Sequence, residues 1–436
     1  MEKQVEAATT ASSSVTQDGQ LSDNGSTDTI VEYAPADSAY GWVIVACAAF
    51  NLMCTIGIFN SFGVYSTYYL NYIYPDKSAA DIAWIGTTRQ VISFGGSVMS
   101  GPLTDRFGFR NVSLAGAIIS SSALLISSFA KPLWFAILTQ GVLFGLGATL
   151  MFSMSMSLPA QWHTKRRALA TGIAVAGAGV GGMIFTEVTQ RLMESVGLQW
   201  TLRISALLIF CISGTASLFY KRRVSVPPGG NDFKAIMLDR RLIAAGLAAL
   251  FICIGYFVPW FYLPTAALDI GQSNQQVSYL VIYMNAGTTV GRLFTAFLAT
   301  AIGPVNTLIV AYIICVVMFL TVMLAAKTMA AYTALAFIYG AFSSSQFALP
   351  PVVLAGIFGP QAVTTAMGIM NMWGSIGILI GNPSQGAVYQ AYDRPHKSFM
   401  AITLLGCSGL FLGIVWYGIL KVLLVRGTKK SYLSRL

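Results

Sequence analysis

Charge is scarce in this 436-residue sequence: Asp, Glu, Lys and Arg together make up 10% of it, where a water-soluble chain carries about a quarter. A soluble fold of that length would still need a charged surface, so the deficit excludes an ordinary globular protein and points to surface that meets lipid. Histidine is rarer still, with His163 and His396 its two occurrences, and the six cysteines (Cys47, Cys54, Cys211, Cys253, Cys315 and Cys407) lie inside apolar runs without CxxC spacing. No metal-ligand set and no disulfide framework follow from that pattern, and the thiols read as small packing residues. Nor do His, Cys or carboxylate groups converge at one depth, so the chain is not read as an enzyme and no cofactor is expected. Residues 1–40 lack both the apolar core of a signal peptide and any hydrophobic periodicity, and are expected to form a disordered tail.

What the sequence does have is apolar length. Hydrophobic residues reach 55% and the mean hydropathy is +0.67. From Trp42 onward twelve apolar stretches can be read, at about 42–66, 82–101, 112–130, 133–157, 168–187, 201–220, 241–264, 277–299, 304–326, 330–350, 365–390 and 398–425. Each is near the ~20 residues a helix needs to cross ~30 Å of hydrocarbon. Lipid offers peptide groups no partner, and frequent Gly and Ser suit close helix contact, so an all-α polytopic fold of twelve transmembrane helices is predicted.

The net charge of +10 is a topology signal and not a nucleic-acid footprint. Residues 1–40 hold seven of the sixteen acids and one base, while the body carries 25 Lys and Arg against nine acids, the bases lying mainly in short links. With both termini placed in the cytoplasm, seventeen Lys and Arg fall on the inner side and seven on the outer, the bias that orients membrane proteins. Only Arg89 and Arg292 remain at membrane depth. Residues 221–240, which contain Pro-Pro-Gly-Gly, divide the helices six and six. The predicted organisation is an N-terminal half at 41–220, a cytoplasmic linker at 221–240, a C-terminal half at 241–425 and a short basic cytoplasmic tail at 426–436. A weak internal echo agrees: Gly101, Asp105 and Gly108 match Ala296, Thr300 and Gly303 in spacing. Paired halves with a site between them suit a carrier that exposes a central cavity alternately to either side.

The segment GPLTDRFGFR places Asp105, Arg106 and Arg110 in a tight link between two membrane helices, with Gly101 and Gly108 permitting close backbone approach. It resembles the loop signature of the major facilitator superfamily, where the loop is a conformational latch whose acid pairs with nearby cations and a helix N-terminus. Residues 161–185 (QWHTKRRALATGIAVAGAGVGGMIF), with DSAYGWVIV before the first helix and NSFGVY within it, are similar to the monocarboxylate-porter branch, its fungal members in particular. That resemblance spans residues 37 to about 425 and implies transport of monocarboxylates or related small solutes, often linked to a proton. Well-studied animal members use a lysine in the first helix and an Asp four residues before an Arg in the eighth; here Asn60-Ser61 and Thr288 stand in those places, and Arg292 alone is retained.

An arginine stays ionised at any working pH, and its burial in lipid costs on the order of 3 kcal/mol unless water, an acid or a ligand compensates. Arg292 and Arg89 are therefore candidate carboxylate contacts, through forked, charge-assisted hydrogen bonds; pairing with a carbonyl or acid is the structural alternative. Asn60, Tyr65, Tyr256, Trp260, Asn285, Gln346, Asn371 and Trp373 are polar or aromatic residues at membrane depth, open to substrate contact or to helix packing, and Pro259 and Pro264 are positioned to kink the seventh helix. Glu187 and Arg191 read as a local i,i+4 pair.

Three other motifs carry no chemistry. Gly177, Gly179 and Gly182 satisfy GxGxxG, but no strand precedes them and close helix packing explains them. Ser408 within Gly-Cys-Ser-Gly has no histidine at its depth to act as base. Asn24 and Asn111 head glycosylation sequons on the side predicted to be cytoplasmic.

The expected function is secondary active transport, by alternating access, of a monocarboxylate or other carboxyl-bearing organic anion; the alternative is efflux of a fungal secondary metabolite. Expected partners are the small-molecule substrate, a proton and the lipid bilayer, around a monomer with both termini cytoplasmic. The family implies a plasma-membrane location, with the vacuolar membrane as an alternative.

Overall fold

Lipid forces every backbone group to find its partner within the chain, and the fold meets that demand with helices alone. The computed structural model describes residues 34–77, 79–129, 132–224, 231–325, 328–393 and 398–428. Most of the expected tail, Pro227 to Gly230, His396, the Asn24 sequon and residues 429–436 lie outside the described residues.

Twelve long helices follow one another among the described residues, each running antiparallel to the last. In chain order α1 covers 39–73, α2 79–107, α3 109–127, α4 133–162, α5 167–196 and α6 198–218; α7 covers 240–269, α8 Asn274–Ile302, α9 Pro304–Ala325, α10 329–358, α11 360–393 and α12 Met400–Thr428. All but α8 lie within eight continuous helical stretches long and apolar enough to cross a bilayer. Three of those stretches, of 47, 52 and 65 residues, are double crossings.

Each double crossing folds back at a single glycine: Gly108 (φ 79°), Gly197 (φ 76°) and Gly359 (φ 78°) leave the helical region while both flanks stay helical. An L side chain is strained at positive φ, so glycine supplies the whole reversal. The sequence reading drew longer links here, around 101–112 and 187–201; the structure replaces them with helix up to one residue. Gly303, the partner of Gly108 in the internal echo, caps α8 in nearly the same conformation (φ 89°, ψ 150° against φ 79°, ψ 157°).

Hydrogen-bonded polar clusters tie helices together within α1–α6 and within α7–α12. In the first, Asn51 on α1 donates to the Tyr220 hydroxyl at 2.9 Å, which meets Ser155 on α4 at 2.8 Å, while Ser113 on α3 meets Ser217 on α6 at 2.7 Å. In the second, Gln346 accepts from Tyr417 on α12 at 2.9 Å and Tyr312 on α9 at 3.5 Å. Between the sets, glycines bring backbones together. A Cβ on Gly101 or Gly368 would collide with Thr365 or the Ser97 carbonyl, joining α2 to α11, and Gly172 and Gly179 hold α5 against Arg292 and Thr289 of α8. Gly177 and Gly181 face the other way, onto Ala49 and Met53 of α1. Of the GxGxxG glycines, Gly177 and Gly179 are thus helix-packing positions, and Gly182 makes room for the Asn60 and Asn285 side chains. Phe297, Leu207 and Phe411, more than half exposed, belong to the apolar outer belt.

Candidate substrate site and its gates

Helices α1, α7 and α10 are interrupted near mid-length. α1 breaks at Ser61, α7 at Phe257 just before Pro259, and α10 around Ser344 and Leu349. The α1 and α7 breaks are related, to within a residue, by the offset that relates Gly101 to Ala296. Pro259, at the start of the second segment of α7, lacks an N–H and so ends the preceding hydrogen-bond ladder, as the expected kink requires.

Between the two sets of helices lies a cavity with room for little more than a water molecule. Phe94 of α2 and Met156 of α4 line it from one side; Cys253, Phe347, Met370 and Asn371 are among its lining on the other. An aromatic chain closes it: Phe94 lies 5.3 Å from Phe152 and 6.0 Å from Phe347, and Phe347 packs edge-on to Tyr256 at 5.6 Å. The Asn371 Nδ2 is buried without a partner, whereas the Gln346 amide oxygen, also at the cavity, is committed to Tyr417 and Tyr312.

Other expected contacts are dispersed. Tyr256 sits one ring from the cavity, and its carbonyl accepts from Tyr339 at 3.0 Å. Trp260 is partly buried with its indole N–H unpartnered, and Trp373 packs where a Cβ on Gly246 would stand. Arg292 is 4% exposed; its Nη1 donates to the Val175 carbonyl of α5 at 2.7 Å, and its Nε is buried with no acceptor. Arg89 is equally buried, donating to the Phe59 carbonyl at 3.2 Å, with the rings of Phe59, Phe62 and Phe144 5.1–5.5 Å from its guanidinium carbon. Such cation–π contacts hold a desolvated cation without an acid. Tyr65 meets Ser205 at 3.4 Å inside the first six-helix set, away from the cavity lining. Phe94, Phe152, Phe347 and Met156 escaped the sequence reading because an apolar residue on an apolar helix carries no periodic signal of which face meets the cavity.

Two groups of contacts join α1–α6 to α7–α12 to either side of the cavity. Toward one end Asn60 donates to Asn285 at 3.0 Å, above Gly182, and Asn382 to Gln90 at 3.4 Å. Toward the Lys- and Arg-rich end, Thr364 donates to Ser157 at 2.9 Å and Gln161 to the Pro360 carbonyl at 2.7 Å. At that end Asp105 accepts from Arg222 at 3.4 Å and from Asn231 at 2.9 Å, and Asn231 also donates to the Gln361 carbonyl at 3.2 Å. The cation on Asp105 is thus Arg222, at the end of α6. Arg106 and Arg110 of the same motif are exposed, Arg106 lying over Phe107. Glu187 and Arg191 form the expected local pair at 2.6 Å.

Beside this end, Asp37 accepts from the Thr164 hydroxyl at 2.5 Å and from the Thr164 and Lys165 N–H groups. Partial desolvation raises its carboxyl, but these hydrogen bonds outweigh it and hold the pKa at about 2. His163 is buried against Trp42 at 4.8 Å, and burial lowers its pKa below the ordinary value.

The sequence matches the family described as Major Facilitator Superfamily over residues 41–381 and again over 245–431. It is 32% identical to the Aspyridones efflux protein apdF of Emericella nidulans, covering 87% of this chain and 77% of that protein. It is 29% identical to the MFS-type transporter pynF of Aspergillus niger, covering 86% and 87%, and 28% identical to the Agnestins efflux protein AgnL12 of Paecilomyces divaricatus, covering 83% of each. In fold it is similar to the human organic anion transporter MFSD10 (TETRAN), with a TM-score of 0.65, 14% identity and coverage of 88% and 100%.

Proposed function

Since this chain belongs to the major facilitator superfamily and is a multi-pass membrane transporter of a small molecule, we propose that it exports a largely apolar organic metabolite bearing an acidic group. The observation that carries this reading is the aromatic and Met-rich cavity between the two sets of helices, with the unpartnered Asn371 amide on its wall and Arg292 beyond Tyr256. Apolar walls supply affinity for a carbon skeleton, and a few convergent polar groups orient it. Relatives named as efflux proteins favour outward transport.

In this reading residues 41–220 and 241–425 are the rocking halves, joined by 221–240, in a monomer of the plasma membrane with both termini cytoplasmic. Asp105, Arg222 and Asn231 then latch the cytoplasmic gate, Asn60 and Asn285 the outer one, and the structure stands between the two open states. A solute enters from the cytoplasm when Asn231 and Gln161 release α11, parts Phe94 from Phe347, and leaves when Asn60 and Asn285 separate.

Transport of a small monocarboxylate is the second reading, favoured by the orphaned Arg292 Nε. Profiling a deletion strain and an overexpressing strain separates the two. Apolar acids accumulating inside the deletion strain and outside the overexpressor support export; a change confined to small hydrophilic carboxylates overturns it.

A further inference from the structure

Apart from Glu187 on α5, every carboxylate among the described residues lies at a helix end or in a link. Asp105 and Asp239 are at the Lys- and Arg-rich end, Asp81 and Asp269 are at helix termini, and Asp393 caps α12 through the Ala401 and Ile402 N–H groups. Glu187 is more than half exposed and paired with Arg191. His163 lies in the α4–α5 link. At mid-membrane the ionised groups are Arg89 and Arg292, and no carboxylate contacts either among the described residues. Tyr65 and Tyr69 near Arg89, and Tyr256 near Arg292, are phenols, a group whose free pKa is about 10.

A carrier that couples to protons needs a group at the site that gains and loses one on each cycle. Neither a guanidinium nor a phenol does so at working pH. We infer that the substrate crosses as an anion neutralised by the fixed positive field of Arg292 and Arg89, so that each cycle moves net negative charge and membrane voltage, not a pH gradient, drives transport. This rests on the acid-bearing substrate proposed above. The anion would take the Arg292 donors now turned to the Val175 carbonyl and the empty Nε, and an interior negative to the outside would expel it.

The test uses the full-length protein in liposomes with radiolabelled naphthalene-2-sulfonate, an aromatic body whose charge does not titrate. Potassium gradients with valinomycin set the voltage, and buffers set the pH gradient. The expected result is saturable uptake whose steady-state accumulation changes tenfold for about 59 mV and is unmoved by a pH gradient at zero voltage. Accumulation that follows pH at zero voltage, or saturable uptake indifferent to voltage, overturns the inference while leaving the site reading intact. Absence of saturable uptake sinks the site reading and the inference with it. Arg292→Gln is expected to abolish the voltage-driven component at unchanged insertion; its persistence in that variant overturns the role of Arg292.

Discussion

Asn60 and Asn285 meet at 3.0 Å, one from each set of six helices, across a space that only a glycine at 182 leaves open. Asn285 keeps a second bond, from its Nδ2 to the Val281 carbonyl at 3.0 Å, so it stays anchored if Asn60 is lost. Asn60→Ala should remove one closing contact worth about 1 kcal/mol and shift the open-to-closed ratio roughly fivefold. Cysteine labelling of a nearby outer-gate position reads that shift; unchanged labelling rates would show that the pair does not hold the gate.

At the opposite gate the contact is steric. A methyl at 101 collides with Thr365, so Gly101→Ala is expected to cut transport at least tenfold by holding α2 off α11. Thr365→Gly removes the side-chain part of that clash but leaves the Thr365 Cα 2.7 Å from the added methyl, so the double variant should recover only part of the rate. A Gly101→Ala variant that transports at the parent rate would show that this contact does not matter.

Gln346 and Asn371 both border the cavity but are set for different tasks. Gln346→Leu leaves the Tyr417 hydroxyl without its acceptor, at a cost of about 1–3 kcal/mol for the buried orphan, while Tyr312 keeps the Ser343 carbonyl at 3.3 Å, so the melting temperature should fall. Asn371→Leu removes an amide nitrogen that already lacks a partner, and its melting temperature should hold or rise while substrate selectivity changes. Equal melting shifts in the two variants would refute that division.

How far the sequence revealed all this depends on which property a residue exposes. Apolar length announces a crossing helix, and the charge of Arg89 and Arg292 announces a functional or structural exception, so the architecture and both arginines were legible. The partners were not, because they are set by helix rotation: a shift of one residue, about 100°, exchanges Asn371 at the cavity for Met372, which does not line it. Tyr65 illustrates the ambiguity, a polar residue at membrane depth that proves to be tied to Ser205. Asn231 is a plain linker residue in sequence, and only the fold carries it between Asp105 and Gln361.

Asp37 gives a pH signature with a definite sign. Its folded pKa, about 2, lies below the ordinary carboxyl value of 3.8, so its contribution to stability is fully present above about pH 4 and is lost as pH falls through 2. Asp37→Asn should therefore be less stable than the parent by a constant margin at neutral pH, a margin that closes only in strong acid. A margin that closes already near pH 6 would refute this assignment, since the Asp37 charge favours protonated His163 and titration of that imidazole should widen the margin.

Gly108 joins α2 to α3 with no slack between them. A helix that tilts at the centre must then drag its lipid-facing neighbour along, and the resting tilt of that neighbour is set partly by how well its apolar length fits the surrounding hydrocarbon. The acyl chains thus hold one end of a lever whose other end is the passage, and turnover in vesicles should vary with lipid chain length even when headgroup and voltage are fixed.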